Sequence, residues 1–176
     1  MSQTAELPVN FRQLLGQMVA PDFRREIVET FLADREARPA VQEALRTLAA
    51  LRKLRPQTIA QFGKPERVQL FVGALSQPAF ETAAMQALQV WFLRKGRALM
   101  GALLDAWGVP HKEGELDDDT IVPPLSADKV RSAITSVGSA HPAAHIDAYL
   151  AYSHLAPPED SWSEACGVVL KERLSA

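Results

Sequence analysis

Residues 78–107 read PAFETAAMQALQVWFLRKGRALMGALLDAW, and this run decides the fold. Past Pro78 its only helix-weakening residues are Gly96 and Gly101, and eight of its thirty residues are polar: Glu81, Thr82, Gln86, Gln89, Arg94, Lys95, Arg97 and Asp105. A helix of this length would be about 45 Å long. Apolar over most of its circumference, it predicts a buried central helix over about 78–107. At 100° per residue, Phe80, Ala84, Ala87, Leu88 and Trp91 share one side of the first half, opposite Thr82, Gln86 and Gln89. In the second half Leu99, Met100, Leu103, Leu104 and Trp107 fall on the side the glutamines held, so the apolar face changes sides near Arg94–Arg97. One helix packed against two sets of neighbours is therefore expected. Trp107, Gly108, Val109 and Pro110 mark its end, with a glycine for the left-handed position and a proline that stops the helix.

Upstream, Asn10 is the expected cap of a helix from Phe11 to about Ala20. Phe23, Ile27 and Phe31 form the stripe of a second helix ending near Ala33. Pro39 opens a third that runs to about Lys53 and buries Val41, Leu45 and Leu48. From Pro65 to Leu75, Val68, Phe71, Val72 and Leu75 repeat at i, i+3, i+4 and i+7. Downstream, residues 108–126 lack helical periodicity and carry Pro110, Pro123, Pro124 and five carboxylates. Thr120–Val122 is the one extended piece expected there. Ser126 and Gly138 bracket a helix from Ala127 to about Val137, another spans Pro142 to about Leu155, and Ser161 with Glu164 predicts a capping box for the last. The expected fold is all-α: a single domain over 1–176, seven or eight helices around the central one, with an acidic, proline-containing loop at 108–126 and a flexible leader at 1–8.

The totals bound the function class. At 176 residues with 47% hydrophobic and 23% charged side chains, the composition is that of an ordinary globular chain. No run approaches the roughly 20 apolar residues of a bilayer span. With one cysteine, Cys166, no internal disulfide forms, and no basic-then-apolar secretory leader opens the sequence, so a cytoplasmic location is expected. Residues 1–112 hold 15 Lys+Arg against 10 Asp+Glu, and residues 113–176 hold 4 against 11, so the chain is basic first and acidic last.

Chemistry is sparse. Arg94, Lys95 and Arg97 interrupt the apolar run with no carboxylate three or four residues away, so their partners must come from elsewhere in the fold. Glu113, Glu115 and Asp117–Asp119 are the nearest carboxylates that could reach back to them, and the expectation is internal pairing or solvation. A pocket for a small molecule or anion, lined by Trp91, Arg94, Lys95 and Arg97, is the alternative, and it leaves enzymatic activity open. Arg52, Lys53, Arg55, Lys64 and Arg67 form a broader basic surface, but overall acidity with a pI near 6.1 speaks against nucleic acid. His141 and His145 have metal-ligand spacing, yet Pro142 and the lack of an H-E-x-x-H pattern point to a helix start, and no metal or cofactor is implied. Ser126 and Lys129 match S-x-x-K without the companion motifs, and a cap explains Ser126. Without a convincing catalytic set, the leading expectation is a non-catalytic interaction protein, adaptor or regulatory, whose partner is another protein or a second copy.

Overall fold

The computed structural model describes residues 6–176; residues 1–5 of the expected leader lie outside the described residues. The fold is all-α, and among the described residues no strand forms beyond an isolated bridge between Lys112 and Glu115. Ten α-helical segments occur there rather than seven or eight. The chain divides into two compact units, residues 10–94 and residues 95–176 with 1–9.

The 78–107 run is not one helix. A 3-10 turn, Pro78–Phe80, leads into α6 (Glu81–Lys95), Gly96 breaks the run at φ −96° and ψ 1°, and α7 (Arg97–Trp107) begins with Met100 N–H donating to Gly96 O. The two apolar faces belong to different units, α6 burying Ala84, Leu88 and Trp91 and α7 burying Leu99, Leu103 and Trp107. A continuous helix would fix the rotation between those faces. Gly96, about 1 kcal/mol poorer than alanine in a helix, is where the run gives way, while Gly101 stays helical inside α7.

In the 10–94 unit, Asn10 Oδ1 accepts from Gln13 N–H at 2.9 Å and caps α1 (Phe11–Gln13). That helix is shorter than expected because the chain widens into a π-helical turn, Leu14–Met18. Glu81, at the start of α6, reaches back to accept from Phe11 N–H and Arg12 N–H at 2.8 and 3.1 Å, satisfying amides that a helix start leaves open. Next come α2 (Pro21–Ala33), α3 (Arg38–Leu51), the short α4 (Pro56–Gln61) and α5 (Lys64–Ala74). Phe31, Phe71 and Phe80 pack edge to face at 6.1 and 5.3 Å in the core, with Ile27, Leu48, Ile59 and Leu75 fully buried.

In the 95–176 unit, α7 ends at Gly108 in the left-handed region, φ 72°, as the Trp107–Pro110 run implied. Residues 108–126 contain no helix, and Thr120–Val122 form no strand. The remaining helices are α8 (Ala127–Val137), α9 (Ala143–Leu155) and α10 (Asp160–Leu174). Trp107 stacks on Tyr149 at 6.1 Å and meets Trp162 edge-on at 5.0 Å, a buried aromatic centre. Trp162 Nε1 donates to Pro123 O at 2.9 Å, and Leu125 N–H donates to Ser161 Oγ at 2.9 Å, which ties the end of the loop to the start of α10. The expected Ser161–Glu164 capping box is absent. Glu159 caps α10 instead, accepting from Ser161 N–H and Ser161 Oγ, while that hydroxyl is occupied by Leu125.

Candidate functional site

The four residues singled out around the middle of the 78–107 run are held separately. Trp91 is 1% exposed; it meets Phe23 edge-on at 4.7 Å, and its Nε1 donates to Glu26 Oε1 at 3.3 Å. Arg94 donates from Nε to Asp34 Oδ2 at 2.5 Å and pairs through Nη2 with Glu36 at 2.7 Å. Asp34 also accepts from Ala37 N–H at 2.8 Å, just before α3. The Arg94 hydrogen bond, ahead of the other contributions, holds the Asp34 carboxyl below the usual aspartate range and raises the guanidinium in turn. Arg94 ends a groove of about 260 Å³ between α3 and α6, floored by Ala37, Ala40, Val90 and Leu93. With Asp34 and Glu36 on the same groove, its one cation is outnumbered by carboxylates, so an anion entering there would meet net negative charge.

Arg97 belongs to the other unit and pairs with Glu113 at 3.4 Å and with Glu115, the first two carboxylates of the acidic loop. Gly114 makes this possible. At φ 86° it lies so close to α7 that an added Cβ would sit 2.9 Å from Arg97 O and 2.9 Å from Met100 Cβ. Its N–H donates to His111 Nδ1 at 3.0 Å, which leaves the ring proton on Nε2, facing Asp105 Oδ1 at 3.1 Å. Three contacts thus dock the 111–115 turn on α7. Lys95 ends α6, exposed, and falls in the same unit as Arg97, whereas Trp91 and Arg94 fall in the first.

A different set of cations stands out once pairing is traced. In the 10–94 unit there are 12 Lys+Arg against 8 Asp+Glu, a net charge of +4. Seven of those eight carboxylates are committed: Glu26 to Trp91, Glu29 to Arg25, Asp34 and Glu36 to Arg94, Glu43 to Arg46, Glu66 to Gly63 N–H and Glu81 to the α1 amides. Among the described residues, no carboxylate pairs with Arg52, Lys53, Arg55, Lys64 or Arg67. Arg67 Nε is moreover buried without a hydrogen-bond partner. Helix dipoles account for part of this set, since Arg52 and Lys53 close α3 where cations are favoured. They do not account for Lys64 and Arg67, which occupy the first turn of α5, where the dipole disfavours positive charge.

Arg52 of this set lines an open cleft of about 500 Å³ together with Phe62, Glu66, Gln69, Leu70 and Gly73, and Lys53, Arg55, Lys64 and Arg67 each lie within three residues of a lining position along the chain. Residues 66, 69, 70 and 73 share one face of α5, and Phe62 closes the end of α4. The Arg52 guanidinium lies over Gly73, its Nη2 3.7 Å from where a Cβ would stand, so the missing side chain leaves the floor open. Leu51 and Leu54, from the same end of α3, are 42% and 40% exposed. The basic residues were legible in the sequence; the apolar floor was not. Phe62 and Leu70 look like ordinary core positions, and the one available signal is the short segment between Pro56 and Pro65, which limits α4 to Pro56–Gln61.

The 95–176 unit has its own shallow groove of about 420 Å³, bordered by Leu7, His154, Ser163, Gly167 and Val168. A serine and a histidine meet there, Ser163 Oγ lying 3.2 Å from His154 Nδ1. The proton is in the wrong place for a nucleophile, because Nδ1 lies 2.8 Å from Ser163 O, a carbonyl that only accepts, so Nδ1 carries the hydrogen and cannot take one from the hydroxyl. Ser163 Oγ itself donates to His154 O. Cys166 is buried beside Ser153, and burial pushes its thiol up to about 12, far from a reactive thiolate. No group of three or more His, Cys, Asp or Glu among the described residues is placed to hold a metal ion, and no helix there is long and apolar enough to cross a membrane. Comparison of the chain with protein-family models, with curated proteins and with solved structures finds no match.

Proposed function

We propose that this chain is a non-catalytic interaction protein, an adaptor or regulatory subunit, that docks another protein on the cleft between the end of α3 and α5. What supports the reading is the pairing pattern of the 10–94 unit: seven of its eight carboxylates are committed, while among the described residues Arg52 in the cleft and Lys53, Arg55, Lys64 and Arg67 near it along the chain have no carboxylate partner. A fold gains nothing internally from such an arrangement, since clustered like charges repel and exposed leucines lose the benefit of burial. A partner that covers both would recover it. Photo-crosslinking tests this: benzoyl-phenylalanine is placed at Leu54, at Gln69 and, as a control on the other unit, at Ser132, in cells that make the protein. Discrete adducts from Leu54 and Gln69, absent from Ser132 and abolished by Gly73→Leu, are expected. An adduct of twice the chain mass would identify the partner as a second copy. The same products from all three positions, or none, would refute the reading.

A further inference from the structure

The chemistry of the cleft narrows what fits it. Its lining is mixed, with Phe62 and Leu70 as the apolar part beside Arg52, Glu66 and Gln69, and the exposed Leu51 and Leu54 add apolar surface at the α3 end. The charged residues of the segments around it are overwhelmingly positive, because Glu66 is the one carboxylate between residues 44 and 80, and Gly63 N–H holds it at 3.2 Å. An incoming basic segment would meet one carboxylate, Glu66, against the positive charge of Arg52 and of Lys53, Arg55, Lys64 and Arg67 nearby in the chain. A nucleic-acid backbone would satisfy the cations but leave the leucines and the floor against phosphate and water. Sequence-tolerant nucleic-acid surfaces set exposed aromatic faces among their cations, and here the one aromatic, Phe62, is half-buried.

Resting on the docking role proposed above, we infer that the cleft takes an acidic amphipathic segment of a partner protein, with apolar side chains inserted over Gly73 between Phe62 and Leu70. Its carboxylates meet Arg52, Lys53, Arg55 and Lys64. Arg52 has the central place, since it lines the cleft and its guanidinium lies over the open position at Gly73, where a fork of donors matches a carboxylate. The 3.7 Å spacing there means that the floor can be filled by substitution without displacing backbone.

Fluorescence anisotropy on the full chain tests this with four labelled probes: a helical peptide of alternating glutamate and leucine pairs, the same peptide with lysine for glutamate, an all-glutamate peptide, and a short DNA duplex. The glutamate-leucine peptide is expected to bind, with affinity reduced about tenfold or more by Arg52→Glu with Arg55→Glu, and comparably by Gly73→Leu. Circular dichroism confirms that both variants stay folded. The lysine peptide should not bind, and the all-glutamate peptide should bind at least about tenfold more weakly for want of apolar anchors. Three outcomes overturn the inference: no binding of the glutamate-leucine peptide, binding indifferent to both variants, or tighter binding of the duplex with the same sensitivity to them. The crosslinking result keeps the two claims apart. Cleft-specific adducts without acidic-peptide binding would sink the partner chemistry alone, whereas loss of those adducts would sink the docking role itself.

Discussion

The two units treat their arginines differently. In the 95–176 unit each of the three is paired: Arg97 with Glu113 and Glu115, Arg131 with Asp128 and Glu172, and Arg173 with Asp147. That unit has carboxylates to spare, 13 Asp+Glu against 7 Lys+Arg. Its lysines without a carboxylate, Lys112, Lys129 and Lys171, sit one to a segment. In the 10–94 unit Arg25, Arg46 and Arg94 are paired, yet among the described residues Arg52, which lines the cleft, and Lys53, Arg55, Lys64 and Arg67, near it along the chain, have no carboxylate partner. Among the described residues Arg12, Arg24, Arg35 and Arg38 also lack a carboxylate: Arg12 and Arg24 donate to the carbonyls of Ser76 and Val19, and Arg35 and Arg38 flank the turn that holds Arg94. A shortage of acid alone would leave bare cations spread over the surface. Five of these nine cations fall within residues 52–67, beside the exposed Leu51 and Leu54, which suits a docking surface.

The heaviest blow to this contrast would fall on the aromatic centre that organises the acid-rich unit. Trp162→Ala removes a buried indole and the bond to Pro123 that ties down the loop, and should cost about 3–5 kcal/mol in urea unfolding. A loss well under that would mean that the pairing pattern there does not depend on its core. A smaller effect is expected from Asp34→Ala, which leaves Arg94 with Glu36 alone and opens the Ala37 amide, at about 1–3 kcal/mol. The same residue gives a pH signature. Because the folded Asp34 carboxyl sits below its ordinary value of 3.8, its stabilisation is complete above that value and is lost as the pH falls through the lowered one. Asp34→Asn keeps an oxygen for Ala37 N–H but cannot ionise, so its stability should fall less steeply below about pH 4 than that of the wild type. Parallel acid limbs would contradict the pairing.

How much of this was readable beforehand depends on distance along the chain. Ser126 and Gly138 bracket α8 at the expected residues because both signals are local. Glu113 and Glu115 were identified as partners for the central cations because they follow the same helix closely, and Arg97 uses them. Arg94, three residues earlier, uses Asp34 and Glu36 about sixty positions upstream, and no spacing rule reaches that far. The break at Gly96 was hidden for the same reason. Gly96 and Gly101 have the same intrinsic propensity, and tertiary packing of two separate cores selects the first. At the candidate cleft the cations were visible, whereas Phe62, Leu70 and Gly73 acquire meaning only once the fold brings the end of α4, α5 and Arg52 to one cleft.

Gly114→Ala sharpens the contrast from the acid-rich side. A Cβ at φ 86°, 2.9 Å from Arg97 O, must push the 111–115 turn off α7, at an expected cost of about 1–3 kcal/mol. Stability within about 0.5 kcal/mol of the wild type would show that the turn is not held as described.

The smallest expected change bears most directly on the central claim, that the cations in and near the cleft contribute little to the fold. Arg52→Gln, Arg55→Gln and Lys64→Gln are combined, and the urea midpoint of the ligand-free chain is compared with that of the wild type. Removing three like charges that have no carboxylate partner among the described residues should leave the midpoint nearly unchanged, since relief of their repulsion offsets the small dipole term at Arg52. A clear fall would mean that these cations hold the structure together, and that the cleft is not a surface kept ready for a partner.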